Sequence, residues 1–379
     1  MRFPWSRPRE GTGWSWQSNQ GLVAIPIVLV LVITVADVLS PPDVHLGPLL
    51  VVAPALTASF GSSRLTALIG ILATGALFTI AAVRNSIFTS NHESQLVALI
   101  VISVFTVFFC RLRERHNTEL KQVRSVAEAA QEVVLHPLPE RIGPLSVAFL
   151  YEAAADQARI GGDLYAAVRT RGGTRLLIGD VRGKGLMALD DADLLLGAFR
   201  SAAHRELPLE ALQAELDAVV TWGLAQPNRH GHDAEESFIT GALIDVPDHE
   251  PRISILNSGH PAPLRLRDGR VTMLSPRRYA PPFGIPLPQD PGAAPDVYDF
   301  APGDLLLLYT DGVTEARDTA GDFYPLAERL PDIVPGGMHP FDLLTVLRED
   351  LLRHASGSLG DDAAVVAVRR DIPGRPRTV

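Results

Sequence analysis

Aspartates stand at the ends of four apolar, strand-like runs in the second half of the sequence. Asp163 opens one run, Asp180 closes a second, Asp311 follows a third, and Asp361 and Asp362 precede the last. Carboxylates at strand ends project from a rigid sheet edge into a shared cleft, and clustered hard oxygen ligands suit Mg²⁺ or Mn²⁺. A pair of such ions ~3.5–4 Å apart can generate a nucleophilic water for hydrolysis. The pattern therefore indicates a two-metal hydrolase.

The charge of the chain is divided unevenly. The 379 residues carry a net charge of −9, and residues 1–110 are close to neutral, so almost all of the negative charge lies after residue 110. An acidic surface disfavours nucleic acid as a partner, because phosphate backbones are bound by clustered Lys and Arg. A single cysteine, Cys110, excludes an intramolecular disulfide and is typical of a reducing compartment.

The first third of the chain has the composition of a membrane region. Spanning ~30 Å of hydrocarbon takes about 20 apolar residues. Apolar runs occupy residues 22–39, 46–60, 65–83 and 96–110, the second and fourth being short. We expect about four transmembrane helices in residues 22–110, after an amino-terminal arm of residues 1–21. Asp37 is the one acidic residue inside a run, and near a helix end we interpret it as facing headgroups.

Basic residues predict the orientation of these spans. Arg2, Arg7 and Arg9 precede the first run, and five Lys or Arg between residues 111 and 124 follow the last. The intervening loops 40–45 and 85–95 contain none. Because cytoplasmic flanks carry the excess of Lys and Arg, we expect both termini, and the domain that follows, on the cytoplasmic side of the cell membrane.

Residues 111–136 form a charged, helix-prone connector. Small or apolar residues recur in steps of three and four, which is the spacing of a coiled-coil seam. The seam residues are Leu120, Val123, Ala127, Ala130 and Val134. The pattern fits either a helix packed on its own domain or a weak homodimer through the connector. Pro137 and Pro139 are expected to end the helix.

Residues 137–370 predict an α+β domain, followed by a disordered tail at residues 371–379. Strand-like runs lie at 145–151, 164–168, 175–181, 237–246, 252–257, 269–274, 304–310 and 363–369, with helical stretches at 186–207, 209–225 and 341–354. Strands interrupted by blocks of helix, without strict βαβ alternation, favour an α+β sandwich. Residues 276–302 are too rich in proline for a central strand and indicate a loop or a sheet edge.

Six motifs in this domain occur in the order of a known family. They are Ala158 to Tyr165 (ARIGGDLY), Gly179 to Gly185 (GDVRGKG), Asn257 to Pro261 (NSGHP), Pro302 to Asp304 (PGD), Tyr309 to Ala316 (YTDGVTEA) and Gly360 to Asp362 (GDD). Together they resemble the stage II sporulation protein E class of PPM-type (type 2C) metal-dependent serine/threonine phosphatases. The resemblance implies two antiparallel sheets packed face to face, with helices on both outer faces.

The resemblance also implies roles for individual residues. Asp180 corresponds to the carboxylate that bridges two divalent ions, Mn²⁺ or Mg²⁺, with the Val181 carbonyl as a further ligand. Asp163 corresponds to a ligand of the second ion, and Asp311 and Asp361 to ligands of the first. The implied reaction is hydrolysis of phosphoserine or phosphothreonine on a partner protein, in this family often a small anti-sigma-factor antagonist, by a metal-bridged water.

Three positions depart from the family pattern, namely Ala166, Leu189 and Ala364. They leave the matched ligands in place and bear on the hydrogen bonds around them. The alternative function is a weakly active receptor or scaffold that binds a partner in response to a signal; a nucleotide phosphodiesterase is disfavoured because no basic or aromatic base-binding cluster is evident. Lys184 lies outside any G-x₄-G-K-[ST] spacing, and we interpret it as a residue at the entry of a helix.

Overall fold

The structure is a computed structural model that describes residues 16–41, 45–84, 90–154, 161–226, 237–285, 294–334 and 337–372. Within these ranges, the side chains of residues 16–21, 90–91, 119–128, 130, 132 and 186 are outside the description. The chain divides into two compact units, Met1–Val123 and Arg124–Val379. The division falls inside the predicted connector. The predicted disordered tail lies almost entirely outside the described residues.

Unit 1 is helical throughout its described part. Its helices are α1 (Trp16–Leu39), α2 (Val52–Phe60) with a preceding 3₁₀ turn (Gly47–Val51), α3 (Ser63–Val83) and α4 (Ser90–Val134). Three segments are long and apolar enough to cross a membrane, at Leu22–Leu39, Ser63–Val83 and His92–Thr118. The remaining apolar segment, Gly47–Phe60, is shorter. A membrane region of several helices is therefore supported, and the count of four spans stays a prediction.

Asp37 joins three helix ends in unit 1. It is 1% exposed, and its Oδ2 accepts the backbone N–H of Gly47 at 2.8 Å while its Oδ1 pairs with Arg84 Nε at 3.2 Å. The interpretation that Asp37 faces headgroups is therefore wrong. A carboxylate buried in an apolar bundle requires a paired cation and hydrogen-bond donors. The start of the 3₁₀ turn and the end of α3 supply them. Since Asp37 and Arg84 end their helices, α1 and α3 run parallel.

Contacts between α3 and α4 set the direction of α4. Glu114 Oε1 on α4 accepts the N–H of Ser63, the first residue of α3, at 2.9 Å. Cys110 is buried beside Thr66 of α3. The carboxyl-terminal part of the apolar stretch of α4 therefore lies at the start of α3, and these two helices are antiparallel.

Unit 2 contains eleven described strands in two antiparallel sheets. They are β1 (Arg141–Ile142), β2 (Leu145–Glu152), β3 (Asp163–Arg169), β4 (Gly173–Val181), β5 (Ile239–Pro247), β6 (Arg252–Ser258), β7 (Leu264–Arg267), β8 (Arg270–Met273), β9 (Asp296–Asp299), β10 (Leu305–Tyr309) and β11 (Ala363–Arg370). Sheet A has the order β1-β2-β11-β10-β7-β8, and sheet B has the order β3-β4-β5-β6-β9. Phe149 of β2 and Tyr165 of β3 stack across the two sheets with ring centroids 5.4 Å apart.

Helices cover the outer faces of both sheets. Those against sheet B are α5 (Leu186–Ala202) and α6 (Leu209–Leu224), and those against sheet A include α8 (Leu326–Ile333) and α9 (Pro340–His354). A one-turn helix, α7 (Asp311–Thr314), follows β10. The predicted α+β sandwich of two antiparallel sheets flanked by helices is confirmed.

The central strands of sheet A are buried on both faces. Every residue of β10 is buried, as is nearly all of β11. A strand covered by a sheet on one face and helices on the other reads as a continuous apolar run rather than an alternating one, which is why both were recognisable in the sequence. Each fully buried Leu or Val contributes about 1.5–3 kcal/mol relative to its exposed state.

The elements missed by the sequence pattern lie mostly at the margins of the sheets. Strand β7 carries alternating Arg265 and Arg267, β9 is an edge strand within the proline-rich stretch, and α8 contains Pro331. Short edge strands need little apolar surface, so their periodicity is weak. The expectation of an edge within residues 276–302 agrees with β9. Helix α4 ends at Val134, before the two prolines of the connector.

Candidate active site

The register of the strands brings the predicted acids to one edge of the sandwich. Asp163, the first residue of β3, is the Cα partner of Asp180 near the end of β4. In sheet A, Tyr309 at the end of β10 pairs with Val365 near the start of β11, so Asp311 and Asp361 extend from the same end of two neighbouring strands. Antiparallel pairing thus places the end of one strand beside the start of the next in both sheets.

Thr310 connects the two sheets at this edge. It is fully buried, and its hydroxyl donates to Asp163 Oδ2 at 2.8 Å while accepting the N–H of Ala364 at 2.9 Å. One hydroxyl group therefore fixes a carboxylate of sheet B to β11 of sheet A. Sequence reasoning assigned no role to Thr310; the available signal was a hydroxyl residue directly before a strand-end aspartate.

Gly162 leaves space beside Asp180 and the Val181 carbonyl. A Cβ at Gly162 would lie 2.5 Å from Val181 O and 2.9 Å from Asp180 Oδ1. Two oxygens that the sequence singled out as ligands therefore face the same glycine. Any larger residue would collide with both oxygens, so the close approach of these atoms requires glycine at position 162.

The two acids before β11 have different surroundings. Asp361 is partly exposed, and its Oδ1 pairs with Lys184 Nζ at 2.7 Å and accepts the N–H of Asp362 at 2.8 Å. Asp362 is buried and accepts the N–H of Ala154 at 2.8 Å. Asp362 thus holds the backbone at Ala154 in place, whereas the side chain of Asp361 remains accessible to solvent. Lys184 precedes the helix, as expected, and in addition forms an ion pair that the sequence did not predict.

Tyr151 approaches the acids from β2. A Cβ at Gly161 would collide with both the Tyr151 hydroxyl and Asp362 Oδ2, so these two oxygens lie against the same glycine. Gln131 of α4 donates a hydrogen bond to the Tyr151 hydroxyl. Burial, and then the charges of Asp163 and Asp362, raise the pKa of Tyr151 well above its usual value. Neither Tyr151 nor Gln131 was identified from the sequence, because only the fold brings them to the acids.

The carboxylates are held close enough to resist ionisation. Burial, followed by the charge of Asp180, raises the pKa of Asp163 well above its usual value. Burial and then the charges of Asp311 and Asp361 raise the pKa of Asp180 to about 7. The pKa of Asp311 is raised as well, by burial and by Glu315. Like charges in a partly buried site disfavour one another, so the edge as a whole favours uptake of positive charge.

The donor atoms at this edge suit hard divalent ions. They are carboxylate oxygens and one backbone carbonyl, the ligand types that Mg²⁺ and Mn²⁺ prefer. Among the described residues, no three Asp, Glu, His or Cys side chains are already arranged as a group that could hold a metal ion. The donor atoms at this edge nevertheless fit divalent ions, and bound cations would relieve the repulsion between its carboxylates.

His260 is a structural residue in a turn. It is 2% exposed, its N–H donates to Asn257 Oδ1 at 2.8 Å, and its Nδ1 lies 3.2 Å from Thr240 Oγ1. Burial lowers the pKa of His260 to about 3. The imidazole is therefore neutral near pH 7, which makes it unsuited to supply a proton as a general acid.

The departures from the family pattern are accommodated in the core. Ala166, Leu189 and Ala364 are all buried. Ala364 contributes its backbone N–H to Thr310, a contact that does not depend on its side chain. The hydrogen bond that Thr310 donates to Asp163 therefore does not depend on the residue type at position 364.

Replacing Thr310 with valine should weaken metal binding. Thr310→Val keeps the volume but removes the donor that orients Asp163, and loss of such an outer hydrogen bond typically costs 10–100-fold in metal affinity. Calorimetric titration of Mn²⁺ into the full-length protein in detergent would measure this. Thr314→Val is the matched control, since the Thr314 hydroxyl bonds to the backbone of Asp311 on an exposed turn. Equal affinities for the two variants would contradict the role given to Thr310.

The metal-free protein should lose stability as pH rises through 7. Asp180 has a pKa of 3.8 in the unfolded reference and about 7 in the fold, so the folded state binds the extra proton and its stability falls across that interval. Buried His260, with a pKa of 6.5 unfolded and about 3 folded, acts in the opposite direction below pH 6.5. Subtracting the thermal-melting profile of Asp180→Asn, measured with EDTA, isolates the Asp180 contribution. A difference curve that rises with pH would refute the assignment.

Comparison with known proteins agrees with this geometry. The family model described as stage II sporulation protein E (SpoIIE) matches residues 170–371, more than half of the chain. That range contains Asp180, Asp311 and Asp361 and begins after Asp163. Protein IcfG of Synechocystis sp. is 25% identical over 143 residues, which are 38% of this chain and 22% of IcfG. The chain thus matches about a fifth of that relative.

Solved structures agree on the fold. The RsbU and RsbW domains of Rv1364c from Mycobacterium tuberculosis align with a TM-score of 0.50 and 24% identity, covering 62% of each chain. The SiaA-PP2C domain of Pseudomonas aeruginosa aligns with a TM-score of 0.50 and 16% identity, covering 69% of this chain and 99% of that domain. The chain therefore belongs to the stage II sporulation protein E family, and its second unit has the fold of a PP2C phosphatase domain.

Proposed function

We propose that this protein is a membrane-anchored, metal-dependent protein serine/threonine phosphatase. The observation that carries the proposal is the meeting of Asp163, Asp180, Asp311 and Asp361, from four strands of two sheets, at one edge of a PP2C-type fold. Membership in the SpoIIE family supports the reaction class. The reaction is hydrolysis of a phosphomonoester on serine or threonine of a partner protein.

Each acid has a proposed role at the metal centre. Asp180 would bridge two divalent ions, Mn²⁺ or Mg²⁺, with the Val181 carbonyl beside it, Asp163 would hold the second ion, and Asp311 and Asp361 the first. Bound divalent ions supply an activated water and neutralise charge on the phosphoryl group. The chain's own contribution is to hold these oxygens in place, through Thr310 for Asp163 and through the β3–β4 register for Asp180.

The proposed substrate is a phosphoprotein of the kind met in sigma-factor regulation. The aligned structure from Mycobacterium tuberculosis carries RsbU and RsbW domains, and the family resemblance implies a small anti-sigma-factor antagonist. The alternative is a weakly active receptor or scaffold, and the departures from the family pattern at Ala166 and Ala364 argue weakly for it. Turnover of phosphopeptide by the full-length protein, with and without Mn²⁺, separates the two.

Dimerisation through the connector is a further proposal. Helix α4 runs unbroken to Val134, which supports a helical connector. The side chains of Leu120, Val123, Ala127 and Ala130 lie outside the described residues, so the seam rests on sequence spacing. A seam rich in alanine buries little apolar area, so any dimer would be weak.

Asp180→Asn should reduce phosphopeptide turnover to the level of metal-free protein. Asp180 is proposed to serve both ions, so its loss affects the whole centre, whereas buried Asp362 bonds to the Ala154 backbone and its conversion to Asn retains a carbonyl acceptor. Asp362→Asn should therefore be much milder. Initial rates at saturating Mn²⁺ would compare the two, with melting curves to confirm folding. Equal losses would show that the ligand roles of Asp361 and Asp362 are misassigned.

Both termini should lie in the cytoplasm. The excess of Arg before residue 22 and after residue 110 supports this orientation. The parallel packing of α1 and α3 and the antiparallel packing of α3 and α4 support placing both termini on the same side. Reporter enzymes fused before the first span and after Val379 should both report a cytoplasmic location. An extracytoplasmic signal from either fusion would require an odd number of spans and would place the phosphatase domain differently.

A further inference from the structure

Lys184 is an unusual basic residue in this chain. Of 34 basic residues, Lys121 and Lys184 are the two lysines, and all the others are arginine. Lys184 is thus the lysine of the phosphatase domain, and it forms an ion pair with Asp361 at the acidic edge, Nζ to Oδ1 at 2.7 Å. Arginine makes rigid, planar, two-point contacts, whereas the lysine ammonium is a compact charge on a flexible stem.

The turn that carries Lys184 is open on both sides. Gly183 and Gly185 have φ angles of +113° and +97°, and a Cβ at either would meet no atom within 4 Å. The Lys184 side chain is itself 34% exposed, and that of Asp361 is 47% exposed. Packing therefore does not hold the ammonium in place. An ion pair this exposed contributes little to stability, so the lysine can exchange partners readily.

An anionic substrate needs positive charge at this acidic edge, both from bound divalent ions and from the protein. Asp163 and Asp180 are partners across β3 and β4, and Asp311, Asp361 and Asp362 extend from the neighbouring ends of β10 and β11, so the five carboxylates share one space. A phosphomonoester is a dianion, and it must approach this negative edge. Placed beside Asp361, the Lys184 ammonium lies at the rim of that space and carries the charge that a phosphoryl oxygen requires.

We propose that Lys184 is a substrate-binding residue that exchanges Asp361 for a phosphoryl oxygen of the phosphoserine or phosphothreonine substrate. This inference rests on the proposed phosphatase function. It has a distinctive consequence, because Lys184 and a metal ion would use the same carboxylate, Asp361. Removing the lysine should weaken binding of the phosphoryl group without weakening binding of the metal, since it leaves Asp361 unopposed.

The test compares Lys184→Met with Lys184→Arg in the full-length protein. Loss of a charge-assisted hydrogen bond corresponds to about a 10–100-fold effect. For Lys184→Met we expect KM for a phosphopeptide and the inhibition constant of inorganic phosphate to rise at least about tenfold, with Mn²⁺ affinity by calorimetry equal to or above wild type. Lys184→Arg retains the charge and should recover much of the phosphate affinity.

If the wild-type protein turns over substrate, two results would overturn the inference. Unchanged KM and unchanged phosphate inhibition in Lys184→Met would reduce the ion pair to a surface contact. A parallel loss of Mn²⁺ affinity would make Lys184 a support of Asp361. Absence of turnover in wild type would refute the proposed function instead. In that case, calorimetric titration of inorganic phosphate in the presence of Mg²⁺ still tests the role of Lys184. Phosphate binding by wild type but not by Lys184→Met would support that role. Equal binding by both proteins, or no binding by wild type, would overturn it.

Discussion

The carboxylates at one edge of the sandwich repel one another, and the rest of unit 2 must hold them together against that repulsion. Asp163 and Asp180 face each other across β3 and β4, and their pKa values are raised by burial and by neighbouring acids. Left in a loop, such groups would move apart. They stay together because each is attached to the end of a strand whose remaining residues are buried, so separating them would mean displacing a strand from the core.

Some contacts around the acids are buried and hold a carboxylate in place, whereas others are exposed and can be exchanged. Thr310 is buried and ties Asp163 to β11, and Asp362 is tied to the Ala154 backbone. Asp361 and Lys184, in contrast, are both partly exposed and meet on an open glycine turn. The site thus combines a rigid, buried floor with a solvent-exposed rim. A centre that must admit ions and a phosphoryl group benefits from that arrangement, since a rigid floor preserves geometry while the rim can change partners.

The end of helix α4 touches the phosphatase domain at two points. Gln131 donates to the Tyr151 hydroxyl, and Arg200 of α5 donates to the Val134 carbonyl at 2.9 Å. Tyr151 lies against the same glycine as Asp362, and α5 follows the turn that bears Lys184. The end of α4 therefore contacts both β2 and α5. Through Gln131 and Tyr151 the predicted connector is attached to the site, whether or not its seam residues pair with a second copy of the chain.

The sequence by itself determined the membrane-type apolar runs, the α+β class and the strand-end position of the acids, because continuous burial and acid-after-strand patterns are local and leave a periodic trace. It missed β1, β7 and α8 and anticipated β9 only as an edge in a proline-rich stretch, because short or proline-containing segments carry weak periodicity. The prediction that Asp37 faces headgroups was wrong, because its partner Arg84 lies forty-seven positions away in the chain. Tertiary structure alone determined the contacts of Thr310 and Tyr151 with the acids and the pairing of Lys184 with Asp361. Each joins residues distant in the chain, and no local pattern encodes which strand ends will share an edge.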